Sequence, residues 1–121
     1  MKKTVLIVDD SAYIRKTIAD ILSQREDLEI VDSVGSGETA IDRAIELKPD
    51  LITLDNILPD MHGLDILRTV KDHIPGTKVI MISAVGQESV IHEATESGAS
   101  QYIVKPFTED ALLGALSQVL D

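Results

Sequence analysis

The chain has no cysteine and no tryptophan, and only three aromatic residues among its 121. Without cysteine there is no disulfide, no thiolate nucleophile and no cysteine-ligated zinc, a composition that fits a reducing compartment. Basic side chains are also scarce: 11 Lys and Arg stand against 21 Asp and Glu, for a formal charge of -10. Recognition of a nucleic-acid backbone needs a positive footprint, so direct nucleic-acid binding is disfavoured. The acidic balance favours a cation, or a partner with a basic surface. Long apolar runs are missing too. The first, Val5-Leu6-Ile7-Val8, is too short for a membrane span or a signal-peptide core, and Asp9-Asp10 ends it. A soluble, cytoplasmic protein with no membrane partner is expected.

A glycine-rich phosphate loop is absent where a dinucleotide fold would need it. The link from the first strand to its helix reads Asp9-Asp10-Ser11-Ala12, and Gly35-Ser36-Gly37 comes only after the second strand. Nucleotide or flavin binding is therefore the weaker reading. His62, His73 and His92 are scattered, with no cysteine to complete a ligand set, and read as surface residues.

What the chain does have is alternation. At 44% apolar residues it can bury a core, and its length suits one domain over residues 1–121. Short apolar runs at Val5–Val8, Glu29–Val34, Asp50–Leu54, Lys78–Ile82 and Tyr102–Val104 read as strands. Helical spacing predicts helices over Tyr13–Arg25, Thr39–Lys48, Leu64 to about Lys71, Glu88–Glu96, and from Thr108 onward. Thr108 is a good N-cap, Gly98 a plausible C-cap, and Pro49 stops the second helix. Strand–helix repeats with short connections call for an α/β fold, a parallel sheet covered by helices on both faces. In such sheets polar groups gather outside the carboxyl ends of the strands.

Those ends carry the chemistry. Asp9-Asp10 closes the first strand, Asp55 the third, Ser83 the fourth and Lys105-Pro106 the fifth. Clustered carboxylates repel one another, and a hard divalent cation with oxygen ligands relieves that repulsion, as magnesium does. Singly, each residue has a plainer account. Asp10 or Ser11 can cap the first helix, and Asp55 can cap a turn in the loop to Gly63. Asp60, next to Pro59 and nearer the third helix, suits such capping better. Lys105 can be a solvated surface group, Ser83 an ordinary loop serine and Tyr102 an edge-strand aromatic. Together, the acids, hydroxyl and ammonium form a small clamp of the kind phosphoryl transfer requires.

In Val5-Leu6-Ile7-Val8-Asp9-Asp10, Leu54-Asp55 with Pro59 and Gly63, Ser83-Ala84 and Lys105-Pro106-Phe107, the sequence resembles the receiver domains of bacterial two-component response regulators over its whole length. The resemblance implies a flavodoxin-like, five-stranded parallel sheet in the order 2-1-3-4-5 with five flanking helices. It implies that Asp55 accepts a phosphoryl group from a sensor histidine kinase. Asp10 and Asp55 would bind Mg2+ directly, Asp9 through a water, and the Ile57 carbonyl would complete the protein ligands. Ser83 and Lys105 would contact the phosphoryl oxygens, and the Lys105-Pro106 bond would be cis. Ser83 and Tyr102 would form the switch, Tyr102 moving inward as Ser83 is drawn to the phosphoryl group. Such a protein catalyses its own phosphoryl uptake and acyl-phosphate hydrolysis, yet acts mainly in signalling.

The resemblance extends to chemotaxis members through Met81-Ile82-Ser83-Ala84 and Tyr102. It implies a monomer whose altered surface binds a flagellar motor switch protein, with a phosphatase as a further partner. Ile57 and Val85 are apolar, so neither side chain can hydrogen-bond the water that attacks an acyl phosphate. Three alternatives stay open. The chain can be a phosphorelay intermediate or the receiver of a larger transcriptional regulator. It can be a small metal-dependent phosphatase, although no separate general acid joins the cluster. It can also be a binding module that uses the fold alone.

Overall fold

The computed structural model describes residues 2–121. Five strands and five helices alternate: β1 (Lys3–Val8), α1 (Ala12–Leu22), β2 (Leu28–Val34), α2 (Gly37–Leu47), β3 (Leu51–Leu54), α3 (Gly63–His73), β4 (Lys78–Ser83), α4 (Glu88–Glu96), β5 (Gln101–Val104) and α5 (Glu109–Leu120). All strand pairs are parallel, in the order β2-β1-β3-β4-β5, as expected. Inner strands of such a sheet are buried on both faces, which is why β3 reads as the unbroken run Leu51-Ile52-Thr53-Leu54.

Alternate residues feed two cores. Leu6, Val8, Ile52, Leu54, Val79 and Met81 pack with Ala40, Ala44, Ile66, Leu67, Val70 and Ala94 of α2, α3 and α4. Val5, Ile7, Leu51, Ile80 and Ile82 pack with Ile18, Ile21 and Leu22 of α1 and Leu112 and Leu116 of α5. Each fully buried aliphatic side chain is worth roughly 1.5–3 kcal/mol of burial free energy. From β1 the chain steps outward to β2, then returns across β1 to β3. The order therefore reverses beside β1, and that crevice is where this fold places its polar site.

Several boundaries differ from the sequence expectation for local reasons. α1 ends at Leu22, because Gln24 and Arg25 turn back with bonds to the carbonyls of Ile21 and Leu22. Arg25 instead bonds Asp27 and Asp121. α2 starts at Gly37, two residues early, so only Gly35 and Ser36 of the expected turn lie outside it. Ser36 caps it, and Lys48, at φ 46°, ends it before Pro49. Ser97 is the C-cap of α4 and Gly98, at φ 110°, follows it, one place beyond the expected cap, while Thr108 caps α5 as read from sequence. Asp60 departs from expectation. Its carboxylate caps α2, accepting from the amides of Gly37 and Glu38, while His62 holds the N-cap place of α3 without a side-chain bond.

Candidate active site

Strand register assembles the site. Val8 pairs with Leu54, so the next residues, Asp9 and Asp55, emerge side by side, and the Asp55 amide donates to the Val8 carbonyl at 3.0 Å. Ser83 pairs with Val104, and the Lys105 amide donates to the Ser83 carbonyl at 2.8 Å. Asp9, Asp55 and Ser83 are buried, whereas Asp10 is exposed at the rim. One carboxylate oxygen each from Asp9, Asp10 and Asp55 lies within 4.8 Å of the others.

Lys105 reaches across the strand ends. Its ammonium donates to Asp9 Oδ2 at 2.7 Å and to Asp55 Oδ2 at 3.3 Å. Burial, and then the charge of Asp9, push the Asp55 carboxyl above its ordinary range, with Lys105 opposing. Burial works against the Lys105 ammonium, but its bond to Asp9 and the charges of Asp55 and Asp9 outweigh this and raise it. One ammonium facing three acids leaves uncompensated negative charge. Closely spaced hard oxygen donors with excess charge suit a small divalent cation, and this donor set fits magnesium.

Local structure holds each group. Asp9 Oδ1 accepts from the Ser11 amide at 2.9 Å, and Ser11, rather than Asp10, caps α1 by accepting from Ile14. Asp10 is thus left to face the rim. Asp55 Oδ1 accepts from the Ile57 amide at 3.4 Å. Gly63 is obligatory here, because a Cβ would overlap the Asp55 carbonyl oxygen; α3 can begin against the end of β3 only without a side chain. The Lys105-Pro106 peptide is cis, as expected. Ser83 Oγ accepts from the Val85 amide at 3.1 Å, and the half-buried Tyr102 donates its hydroxyl to the Val85 carbonyl at 2.5 Å. Val85 thereby links Ser83 to Tyr102.

The expected residues Asp9, Asp10, Asp55, Ser83 and Lys105 stand at neighbouring strand ends, with Ile57 in the adjoining loop. The three histidines are exposed and belong to no metal-ligand cluster among the described residues. Sequence reasoning missed two anchors. Arg15 Nη1 donates to the Asp9 carbonyl at 2.7 Å, a role signalled only by an arginine one turn beyond the Ser11 cap. Asp60 reaches a helix 22 and 23 residues earlier in the chain, a contact that no local pattern announces.

Residues 5–117 match the family model described as the response regulator receiver domain. The chain is a response regulator receiver. It is 38% identical to chemotaxis protein CheY of Thermotoga maritima over 119 residues, 98% of each chain. It is 42% identical over 110 residues to a protein-glutamate methylesterase/protein-glutamine glutaminase of Caldanaerobacter subterraneus, covering 88% of this chain and 30% of that protein. Among solved structures it resembles the CheX–CheY–BeF3–Mg2+ complex from Borrelia burgdorferi, with TM-score 0.93, 32% identity and coverage of 98% and 90%. A receiver is a phosphorylation-responsive signalling switch, and the acidic triad is its candidate phosphoacceptor and magnesium site. No helix among the described residues is long and apolar enough to cross a membrane.

Proposed function

We propose that Asp55 accepts a phosphoryl group from a sensor histidine kinase and that the resulting acyl phosphate resets the surface around Tyr102. The observation that carries this is the Lys105 ammonium, 2.7 Å from Asp9 and 3.3 Å from Asp55 beside the acidic triad. A carboxylate oxygen of Asp55 attacks phosphorus, the bond from phosphorus to the donor nitrogen breaks, and the donor imidazole keeps the electron pair and takes up a proton. In this reading Lys105 and the Ser83 hydroxyl receive phosphoryl oxygens as charge moves onto them. Magnesium, when bound by Asp10, Asp55, the Ile57 carbonyl and, through water, Asp9, supplies charge neutralisation at those oxygens.

A groove beside Lys105, lined by Tyr13, Ile14, Ile21, Ala84, Pro106 and Phe107, offers a phosphohistidine-bearing domain a surface continuous with the site. Tyr13, 78% exposed, supplies its aromatic rim. Output then runs through Ser83, Val85 and Tyr102. Drawing Ser83 toward a phosphoryl group disturbs the residue to which Tyr102 is bonded, biasing one of two packings.

The output we propose is chemotactic. The chain acts as a monomeric, cytoplasmic receiver that binds a flagellar motor switch protein and is reset with a phosphatase's help. Its near-complete mutual coverage with chemotaxis protein CheY supports this. A second reading, a relay intermediate or the receiver of a larger regulator, is favoured by the match to the receiver-sized part of a methylesterase. Incubation with a small phosphodonor and magnesium, followed by intact mass, tests the chemistry. One phosphoryl mass added to the wild type but not to Asp55→Asn supports it, and equal labelling of both sinks it. Binding of a motor-switch peptide only after phosphorylation separates motor output from relay.

A further inference from the structure

Two loops carry the acidic triad, and a third touches both. Asp9 and Asp10 lie between β1 and α1, and Asp55 begins the loop between β3 and α3. The turn between β2 and α2 has no acid or base of its own, and its single hydroxyl is spent capping α2. On one side Arg15, which holds the Asp9 carbonyl, lies against Gly35 so closely that a Cβ there would stand 2.9 Å from Nη1. On the other side Asp60 spans two amides of the same turn, at 2.7 Å to Gly37 and 3.0 Å to Glu38. Met61 closes over Gly37, where a Cβ would overlap its Cγ.

The segment from Asp55 to Gly63 folds back on itself. Ile57 pairs with His62 in an antiparallel bridge, the Leu58 amide donates to the Met61 carbonyl at 3.3 Å, and the Gly63 amide donates to the Asn56 carbonyl at 2.6 Å. Asp60 is therefore at the tip of a tight loop with Asp55 and Ile57 at its base. α2 already has a cap in Ser36, so the second, distant carboxylate does more than serve the helix. It ties the loop tip down, and a negative charge is favoured at a helix N-terminus.

We propose that Asp60 is a positioning residue for the cation site. By fastening the loop after Asp55 to the turn against which Arg15 packs, it sets the spacing between Asp55 with Ile57 and Asp9 with Asp10. The inference rests on the reading of the triad as a magnesium site. Outer residues that orient ligands usually change metal affinity on substitution by about 10- to 100-fold.

Calorimetric titration with magnesium of the wild type, Asp60→Asn, Asp60→Ala, Asp55→Asn and Thr77→Val tests it, alongside urea unfolding without metal. Thr77 donates to the Pro49 carbonyl at 2.7 Å just before β4 and β3, at the opposite end of the strands from the triad, so Thr77→Val loses a buried bond far from it. Expected are an affinity about tenfold weaker for Asp60→Ala, an intermediate value for Asp60→Asn, which keeps one oxygen acceptor, and wild-type affinity for the destabilised Thr77→Val. Wild-type affinity in Asp60→Ala, while Asp55→Asn loses binding, overturns the positioning role alone. Equal weakening in Thr77→Val overturns it as well, because the loss then follows stability. A wild type that binds no magnesium overturns this inference and the cation-site reading together.

Discussion

The Lys105 ammonium lies closer to Asp9, at 2.7 Å, than to Asp55, at 3.3 Å. Its stronger bond is thus to the carboxylate that is not the proposed acceptor, and Asp55 keeps a freer oxygen. Removing the ammonium leaves two buried acids facing each other. Lys105→Met should cost about 3 kcal/mol without metal, the penalty for stranding a buried charge. Most of that loss should return on adding magnesium. Because folding raises the Lys105 pKa, its contribution is complete below the ordinary lysine range and fades as pH rises through the raised value. Urea unfolding with and without magnesium checks this, and equal losses in both would refute it.

Asp55 is a liability to the metal-free fold. Its pKa is raised by burial and by Asp9, so at low pH it is protonated in both states and costs nothing. As pH climbs past the ordinary carboxylate range, the unfolded chain ionises readily and the folded one reluctantly, and stability falls. Asp55→Asn should therefore be more stable than the wild type by about 1 kcal/mol at neutral pH without metal. The advantage should shrink toward zero in acid. Urea midpoints measured across that range test the sign, and a variant less stable at neutral pH contradicts it.

Thr53 is fully buried in β3, and its hydroxyl has no hydrogen-bond partner among the described residues. Its neighbours across the sheet are Ile7 and Ile80, both apolar. Thr53→Val replaces an unpaired buried hydroxyl with a methyl group of similar size. A gain of about 1 kcal/mol is expected, seen as a higher urea midpoint with an unchanged slope. An unchanged or lower midpoint would show that the hydroxyl is satisfied in solution.

The Ile57 side chain is 55% exposed beside Asp55 and cannot orient a water. Ile57→Asn places a hydrogen-bonding group there and should shorten the phosphoryl lifetime several-fold. Magnesium-dependent decay of the labelled protein is the measurement. Decay equal to or slower than that of the wild type rules the idea out.

Tyr102→Phe deletes the bond to the Val85 carbonyl and keeps the ring. Stability should fall by about 1 kcal/mol, labelling of Asp55 should persist, and phosphorylation-dependent partner binding should weaken. If binding keeps its full dependence on phosphorylation, the hydroxyl has no part in the switch.

The strand ends were legible because each is an apolar run closed by a polar residue, and parallel pairing makes such ends converge. Asp9, Asp55, Ser83 and Lys105 follow from that rule without knowledge of any helix. The anchors around them were not legible. Asp60 was expected to serve the nearby α3, yet it caps α2, because the β3–α3 loop folds back and carries its tip toward the α2 N-terminus. The turn at Gly35 offered a glycine pair with no visible use, and its value depends on Arg15 and Met61, which sit against it only in the folded chain. The early end of α1 likewise depends on Asp121, a residue at the far end of the sequence that helps draw Arg25 out of the helix.

Val85 accepts from Tyr102 through its carbonyl and donates to Ser83 through its amide, so only that residue's own two backbone torsions separate the bonds. A β-branched side chain narrows the conformations such a residue can adopt. Swinging the amide away from the serine would therefore tend to drag the carbonyl from the tyrosine. In the proposed switch the two ends are joined by one stiff link, so a phosphoryl event at the buried serine would reach the outer edge of the sheet within a single residue.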